Sequence, residues 1–232
     1  LKHAGNLAQN KLRVCFEDGD GLKRCTADDC VYVRPDIKIG QPGYAALGAH
    51  VDDMFCIGDE AGQSKIDEQL DKVFTVKTEY NPAVLTDVQL EYDEERGYAK
   101  LHMASYIEQM LEKCGMTDCN PLPIPLDPGI PKGPLPALGE EPADGWDILY
   151  LYQCLLGMLL WAAIKCRPDI MFAVCFLGRF ASSAGKAQIL WAKGVLRYLA
   201  GTKTWGLGYQ RHNGPVFIQA ASDADFAGDS RT

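Results

Sequence analysis

The chain has 232 residues, of which 47% are hydrophobic, and a formal net charge of -8 at pH 7. This length suffices for a buried core in one large or two small domains. The sequence shows neither a long apolar run nor a basic segment followed by an apolar one, so it predicts no membrane span and no signal peptide. The negative charge argues against a protein whose whole surface grips nucleic acid, but acidic residues crowd the predicted loops and leave room for a local basic groove.

The cysteines give a separate indication of the chemistry and the compartment. There are nine of them, irregularly spaced, with no Cys-x-x-Cys pair, and the four histidines are scattered. This pattern favours neither zinc ligation nor a disulfide framework. It is typical of a reducing intracellular compartment, cytoplasmic or nuclear.

The first segment is predicted to alternate between short elements and glycine-containing loops. Apolar spacing predicts a helix over residues 6–16, which Gly19 and Gly21 then end. Residues 29–33 form a short β-rich run. Prolines and glycines between residues 35 and 43 predict a connecting loop.

Two short apolar runs, residues 45–51 and 54–57, then flank the adjacent carboxylates Asp52 and Asp53. This pattern predicts a β-hairpin with both carboxylates at its tip. Two ionised carboxylates this close repel each other, a cost that a bound cation removes, and their oxygens suit Mg²⁺. The chain contains a second adjacent pair, Asp28 and Asp29, without predicted strands on both sides, and such pairs also arise by chance. The pair alone is compatible with a metal site or with an ordinary polar turn.

Helices, hairpins and a proline-rich stretch are predicted from residue 60 onwards. An amphipathic helix covers residues 60–74, and strands over residues 84–92 and 98–103 are joined by a polar turn. A helix over residues 105–116 is closed by Gly115. Dense prolines between residues 120 and 142 exclude regular structure and predict an extended linker.

The last segment is predicted to be a packed helical bundle followed by a strand. Apolar helices are expected around residues 152–161, from the break at residues 167–170 to about 180, and over residues 186–199. A strand over residues 216–221 leads into the acidic run Ser222-Asp223-Ala224-Asp225-Phe226-Ala227-Gly228-Asp229.

Several of these segments resemble the reverse transcriptases of Ty1/copia-type retrotransposon polyproteins, in the order expected for that family. His50-Val51-Asp52-Asp53-Met54 is similar to the Tyr-Val-Asp-Asp catalytic hairpin, with His50 in place of tyrosine. The run Arg167-Pro168-Asp169-Ile170 and the run from Leu196 to Thr202 also resemble motifs of the family, as does the helix from Ser105 to Met116. The acidic run is similar to the first strand of the RNase H domain that follows the polymerase. Thr86-Asp87 stands where Leu-Gly is common.

The resemblance implies an α+β fold that combines part of a reverse-transcriptase palm with a helical connecting region and the first strands of an RNase H-like domain. The implied domains are residues 1–120, a linker over 121–142, a connecting region over 143–210, and residues 211–232. It also implies that a further metal-binding aspartate belongs to a palm strand before Leu1.

The implied activity is RNA-directed DNA polymerisation by two-metal nucleotidyl transfer, with Mg²⁺ or Mn²⁺ held by Asp52 and Asp53. Asp223 would be the first metal ligand of the RNase H-like domain. The implied partners are an RNA template, a DNA primer, dNTP and the rest of the Pol polyprotein, with no membrane. The alternative is a degenerate, non-catalytic retroelement remnant with a packing or protein-association role, which the acidic charge and His50 motivate.

Overall fold

The computed structural model describes residues 10–16, 22–50, 53–127 and 145–211. The chain divides into two compact units between Tyr80 and Asn81. Both units combine helices with an antiparallel sheet, so the α+β class predicted from the sequence is confirmed at this level. The acidic run that contains Asp223, and the strand predicted over residues 216–221, lie outside the described residues.

The first unit is a four-stranded sheet covered by helices. It contains helix α1 (10–16), strands β1 (Lys23–Arg24), β2 (Val31–Val33), β3 (Ala45–His50) and β4 (Asp53–Gly58), and helix α2 (Glu60–Leu70). The strand order is β1-β2-β3-β4, and each neighbouring pair is antiparallel. Its core unites side chains from the helices and the central strands: Leu12, Phe16, Leu22, Tyr32, Ala45, Leu47, Ile66 and Leu70.

The second unit joins a second sheet to a helical core. Its elements are β5 (Val84–Leu85), β6 (Val88–Asp93), β7 (Tyr98–His102), α3 (Ala104–Lys113), α4 (Trp146–Lys165), a 3₁₀ turn (Pro168–Ile170), α5 (Met171–Gly178), α6 (Lys186–Gly201) and β8 (Gly206–Gln210). The strands are ordered β5-β6-β7-β8. Apolar side chains of α3, α4, α5 and α6 form one buried cluster, which includes Ile107, Leu159, Val174 and Leu196.

Strand β8 belongs to the same sheet as β5, β6 and β7. Lys100 of β7 lies opposite Gly208 of β8, so residues on both sides of the predicted proline-rich linker share one sheet. The part of this stretch that the structure describes, residues 120–127, contains neither helix nor strand, as predicted. The compact units therefore divide at a different place from the implied domain boundaries, whose assignment remains a prediction.

Several predicted elements have limits that differ from the observed ones, such as α4, which begins at Trp146 and ends at Lys165, and two of them differ for an identifiable local reason. Helix α2 ends at Leu70 instead of residue 74, because the chain tightens into a turn in which the carbonyl of Leu70 accepts hydrogen bonds from the N–H groups of Val73 and Phe74. Although Phe74 lies after the end of the helix, its side chain still packs against the first core. The strand predicted over residues 84–92 is divided by a two-residue turn, in which Thr86 and Asp87 have φ angles of 46° and 67°.

Helix α4 corrects the expectation that the chain has no long apolar run. Residues Asp147–Lys165 form 19 helical residues with a mean hydropathy of 1.6, which is enough to cross a membrane by length and composition alone. One face of this helix, including Leu149, Tyr152 and Leu159, is buried in the helical core. That packing accounts for the apolar character of this face in the way expected of a core helix.

Candidate catalytic hairpin

The predicted hairpin is present, and its register places Asp53 at the tip. Six residue pairs join β3 to β4, from Ala45 opposite Gly58 to His50 opposite Asp53. Val51 and Asp52 connect the strands and lie outside the described residues. The connection is therefore two residues long, the commonest length for an antiparallel hairpin.

Burial changes along the hairpin from its base to its tip. On strand β3, Ala45 and Leu47 are buried in the first core and Ala46 is also buried, whereas His50 and Asp53 are exposed. The base is thus held by hydrophobic packing, and the tip projects its polar groups into solvent. The carboxylate of Asp53 is therefore accessible from solvent.

The base of the hairpin is fixed by an aspartate that the sequence analysis did not single out. One carboxylate oxygen of Asp59 accepts a hydrogen bond from the Gly62 N–H at 2.7 Å and so caps helix α2, while the other accepts from the Gly43 N–H at 2.5 Å. These two bonds hold the pKa of the Asp59 carboxyl below its usual value. A Ser, Thr, Asp or Asn just before a helix is the signal that could have identified this residue.

Glycine is required beside this cap because the backbone at Tyr44 approaches closely. A Cβ atom built on Gly58 or Gly62 would overlap the carbonyl oxygen of Tyr44. Asp59, Gly58 and Gly62 together lock the loop before β3 against the start of α2. These contacts therefore fix the base of the hairpin, at the opposite end of its strands from the tip that carries Asp53.

The second aspartate pair lies nearer to the hairpin than expected. Asp28 and Asp29 are in the turn between β1 and β2, so the expectation that strands would not flank them on both sides is wrong. The Ala49 N–H donates to the carbonyl of Cys30 at 2.8 Å, which places this turn at the same end of the sheet as the hairpin tip.

Each member of that pair already has a local partner. Asp28 accepts a hydrogen bond from the Cys30 N–H, and Asp29 forms a salt bridge with Arg24 at 3.4 Å. Arg24 and Asp29 also line an open cavity of about 440 Å³ beside this turn.

Of the three predicted metal ligands, the structure describes Asp53 alone. Asp52 adjoins it in sequence, and nothing tests whether Asp223 approaches either residue. Among the described residues, no group of three or more His, Cys, Asp or Glu side chains is placed to hold a metal ion. The exposed carboxylate of Asp53 is chemically suited to Mg²⁺ as one ligand of a larger set.

The Arg167-Pro168-Asp169-Ile170 motif takes part in a partly buried network of hydrogen bonds in the second unit. The Arg167 side chain is 1% exposed and makes a bidentate contact with Asp169, with N–O distances of 2.9 and 2.7 Å. Arg167 also donates to the carbonyl and hydroxyl oxygens of Thr202, at 2.9 and 2.7 Å. The Tyr198 hydroxyl donates to Asp169 at 2.8 Å. These contacts tie the 3₁₀ turn to the C-terminal end of α6.

The electrostatics of this network follow from its burial and its hydrogen bonds. Burial tends to raise the pKa of Asp169, but hydrogen bonds from Arg167 and Tyr198 outweigh it, so the pKa lies below its usual value. The pKa of Tyr198 is raised by burial and by its hydrogen bond to Asp169. The network is an ion pair between the buried guanidinium of Arg167 and the partly exposed carboxylate of Asp169, and its hydrogen bonds are largely satisfied.

Comparison with known proteins agrees with these motifs. The chain is 31% identical over 208 residues to the retrovirus-related Pol polyprotein from transposon TNT 1-94 of Nicotiana tabacum, a match covering 88% of the chain and 15% of the polyprotein. It is 34% identical over 131 residues to the Pol polyprotein from transposon RE1 of Arabidopsis thaliana, covering 56% of the chain and 8% of that polyprotein. The chain belongs to the family of copia-type Pol polyproteins.

A shorter protein is also similar to part of the chain. An uncharacterized mitochondrial protein of Arabidopsis thaliana is 32% identical over 132 residues, which covers 57% of the copia-type chain and 51% of that protein. The chain therefore spans about half of this relative and a much smaller part of the two polyproteins. No family model and no solved structure matches the chain.

Proposed function

We propose that the chain is the reverse-transcriptase part of a copia-type Pol polyprotein and extends into the start of its RNase H-like domain. The observation that carries this proposal is the register of the hairpin, which pairs His50 with Asp53 and leaves two residues for the connection. With a two-residue connection, the described aspartate, Asp53, begins β4 at an exposed end of the sheet, and Asp52 precedes it in the sequence. Membership of the Pol polyprotein family supports it independently.

In this proposal, Asp52 and Asp53 hold Mg²⁺ or Mn²⁺ against an RNA template, a DNA primer and dNTP. When bound, the metal lowers the pKa of the primer 3′-hydroxyl and stabilises the charge that develops on the transferring phosphate. The contribution of the protein is to keep the carboxylates together on a strand end whose base is packed. Asp223 is the proposed first metal ligand of the RNase H-like domain.

The position of β4 in the sheet would allow a further carboxylate to approach Asp53. Strand β4, which begins at Asp53, is an edge strand of the described sheet. Another strand paired to this edge would bring its side chains beside Asp53. A third metal ligand, as the family resemblance implies, could be supplied in this way by another part of the polyprotein. We therefore expect weak or no synthesis from the 232-residue chain alone.

Primer extension on an RNA template with Mg²⁺ or Mn²⁺ tests the proposal. The chain is compared with Asp52→Asn plus Asp53→Asn and with a matched control, Asp28→Asn plus Asp29→Asn. The control removes the same charge from an adjacent aspartate pair in the same unit, and those residues have local partners. If the 232-residue chain does not extend the primer, the three versions are compared within a longer Pol polypeptide.

We expect synthesis to disappear in the hairpin variant and to persist in the control. Synthesis that survives in the hairpin variant would contradict a metal-binding role for this pair. If even the longer polypeptide synthesises nothing, the result supports the alternative of a non-catalytic remnant. The observation that favours this alternative is His50, which stands at the exposed tip where the family has tyrosine.

A further inference from the structure

Helix α4 presents a second apolar face to solvent, on the side away from its core residues Tyr152 and Leu159. Exposed fractions on this face reach 67% at Tyr150 and 62% at Ile164. The exposed residues between these two positions carry no charge and are mostly apolar: Leu151, Gln153, Cys154, Gly157, Leu160 and Trp161. A continuous exposed apolar surface of this kind is typical of a site that contacts another molecule.

Five residues of this face repeat at the spacing of a seam between two helices. Tyr150, Cys154, Gly157, Trp161 and Ile164 are separated by four, three, four and three residues. This alternation keeps side chains in one line along a helix, and it is the spacing by which two helices pack along each other. The opposite face of α4 already packs in the helical core, so this seam is an additional one. The spacing therefore indicates that a further helix lies along the exposed face.

The seam is symmetric about its middle residue, Gly157. Tyr150 and Ile164 lie at equal distances in sequence before and after it. If two copies of α4 pack antiparallel with a two-fold axis at Gly157, Tyr150 of each copy meets Ile164 of the other. A Cβ atom added to Gly157 would meet open space within one copy, so this residue presents bare backbone to a neighbouring helix. A small residue at such a crossing lets two helices approach closely.

The charges at the two ends of the seam complement each other in the same arrangement. Asp147 and Lys165 are about five helical turns apart, so both lie on the side of α4 that carries the seam. The ammonium group of Lys165 lies 4.5 Å from the centre of the Trp161 ring. Among the described residues, neither Asp147 nor Lys165 has an ion-pair partner. Antiparallel packing brings Asp147 of each copy beside Lys165 of the other, whereas parallel packing would bring like charges together.

From this complementarity, we propose that the exposed face of α4 binds a second copy of the chain, in an antiparallel two-fold dimer centred on Gly157. The symmetry of both the apolar seam and its end charges identifies the occupant as a second copy. One helix pair is small beside the roughly 1,200–2,000 Å² of a standard interface, so the dimer should be weak and should dissociate on dilution. The proposal concerns assembly and does not rest on the proposed function.

Sedimentation velocity of the 232-residue chain over a series of concentrations tests for the dimer. Ile164→Glu is compared with Leu190→Glu on α6, because these apolar side chains are 62% and 66% exposed on helices of the same unit. Ile164→Glu should weaken the dimer at least about thirtyfold, since it sets a carboxylate against Tyr150 and Asp147 of the other copy, and Leu190→Glu should leave it unchanged. Equal losses would overturn the proposal, as would a chain that stays monomeric at roughly 100 µM.

A residue on a two-fold axis meets its own copy, which gives a test specific to Gly157. Gly157→Lys and Gly157→Glu place like charges together across the axis, so each variant alone should weaken the dimer at least about tenfold. Within one copy these side chains meet open space, and circular dichroism should show an intact helix. An equimolar mixture of the two variants should associate more tightly than either one. A mixture that associates no better would overturn the proposed axis.

The end charges test the antiparallel orientation. Asp147→Lys alone should weaken the dimer about two- to tenfold, because it faces Lys165 of the other copy. Asp147→Lys plus Lys165→Asp should recover the affinity, although both changes oppose the helix dipole and should lower the stability of one copy. A double variant that remains as weak as Asp147→Lys would overturn the antiparallel arrangement.

A lipid surface is the competing occupant, because α4 is long and apolar enough to cross a membrane by length and composition. Flotation with phosphatidylcholine vesicles separates the two. The dimer predicts that the chain stays with the protein fraction and that Ile164→Glu does not change this. A chain that is monomeric in solution and floats with vesicles, and whose flotation Ile164→Glu abolishes, would overturn the proposal in favour of a membrane.

Discussion

The hairpin of the first unit and the Arg167 network of the second are both built from residues that resemble family motifs, in opposite environments. Asp53 is exposed at a strand end, whereas Arg167 is enclosed and bonded to Asp169 and Thr202. At the hairpin, the motif provides an exposed carboxylate that is accessible to a ligand. At Arg167, the motif provides a contact between the 3₁₀ turn and the C-terminal end of α6. A motif shared with a family therefore identifies the family without showing whether its residues act in chemistry or in packing.

Replacement of Arg167 is expected to have the largest effect on stability. Arg167→Met removes the bidentate partner of Asp169, whose carboxylate is partly exposed, and should reduce the free energy of unfolding of the second unit by about 1.5–3 kcal/mol. All four tryptophans lie in this unit, so denaturation followed by tryptophan fluorescence reports on it. Arg197→Met, which removes a half-exposed side chain with one hydrogen bond, should cost only about 1 kcal/mol. Equal losses would contradict a special role for the network.

Acid should weaken the same network less than that substitution does, because a protonated Asp169 can still accept hydrogen bonds. Its pKa in the folded protein lies below the unfolded value. The stability it contributes is therefore present above the unfolded pKa and is lost as pH falls through the lower, folded pKa. Fluorescence-monitored denaturation between pH 7 and strongly acidic pH should show this loss, and Asp169→Asn should make the profile flatter. An unchanged profile in that variant would assign the acid sensitivity to other groups.

Two helical glycines should respond to the same substitution with opposite signs. Gly62→Ala in the first unit introduces a Cβ that overlaps the Tyr44 carbonyl and should destabilise by about 1–3 kcal/mol. Gly157→Ala in α4 meets open space and should stabilise by about 0.5–1 kcal/mol, through helix propensity. Thermal unfolding by circular dichroism measures both. Stabilisation by Gly62→Ala would show that the approach of Tyr44 is looser than described.

The smallest expected effect concerns the turn between β5 and β6. Asp87 has a φ angle of 67°, a conformation that glycine adopts without strain, and the family commonly has glycine there. Asp87→Gly should therefore stabilise the second unit by about 0.5–1 kcal/mol. The opposite change at the next turn, Gly97→Ala at a φ angle of 61°, should destabilise it. Denaturation midpoints of the two variants should move in opposite directions, and a shared direction would contradict the turn assignment.

Local sequence patterns were sufficient for the elements whose contacts lie close in the chain. The hairpin follows from two apolar runs separated by polar residues, and α3 and α6 follow from apolar spacing with a glycine after α3. Helix α2 was placed correctly at its start, but its end depended on the turn in which the Leu70 carbonyl accepts hydrogen bonds from Val73 and Phe74. The turn at Thr86 and Asp87 was missed because positive φ is rare for a β-branched residue such as Thr86, and neither glycine nor proline stands between β5 and β6.

By itself, the sequence determined the α+β class, the carboxylate pair in a hairpin, the uneven charge along the chain and the resemblance to copia-type polymerases. These features can be read from residues that are close together in the chain or from the order of motifs along it. Tertiary structure alone decided that β8 completes the second sheet, that Arg167 meets Thr202 and that Asp29 shares one end of the sheet with the hairpin tip. These contacts join residues far apart in the chain or depend on strand register, and no local pattern specifies which distant segments pack together.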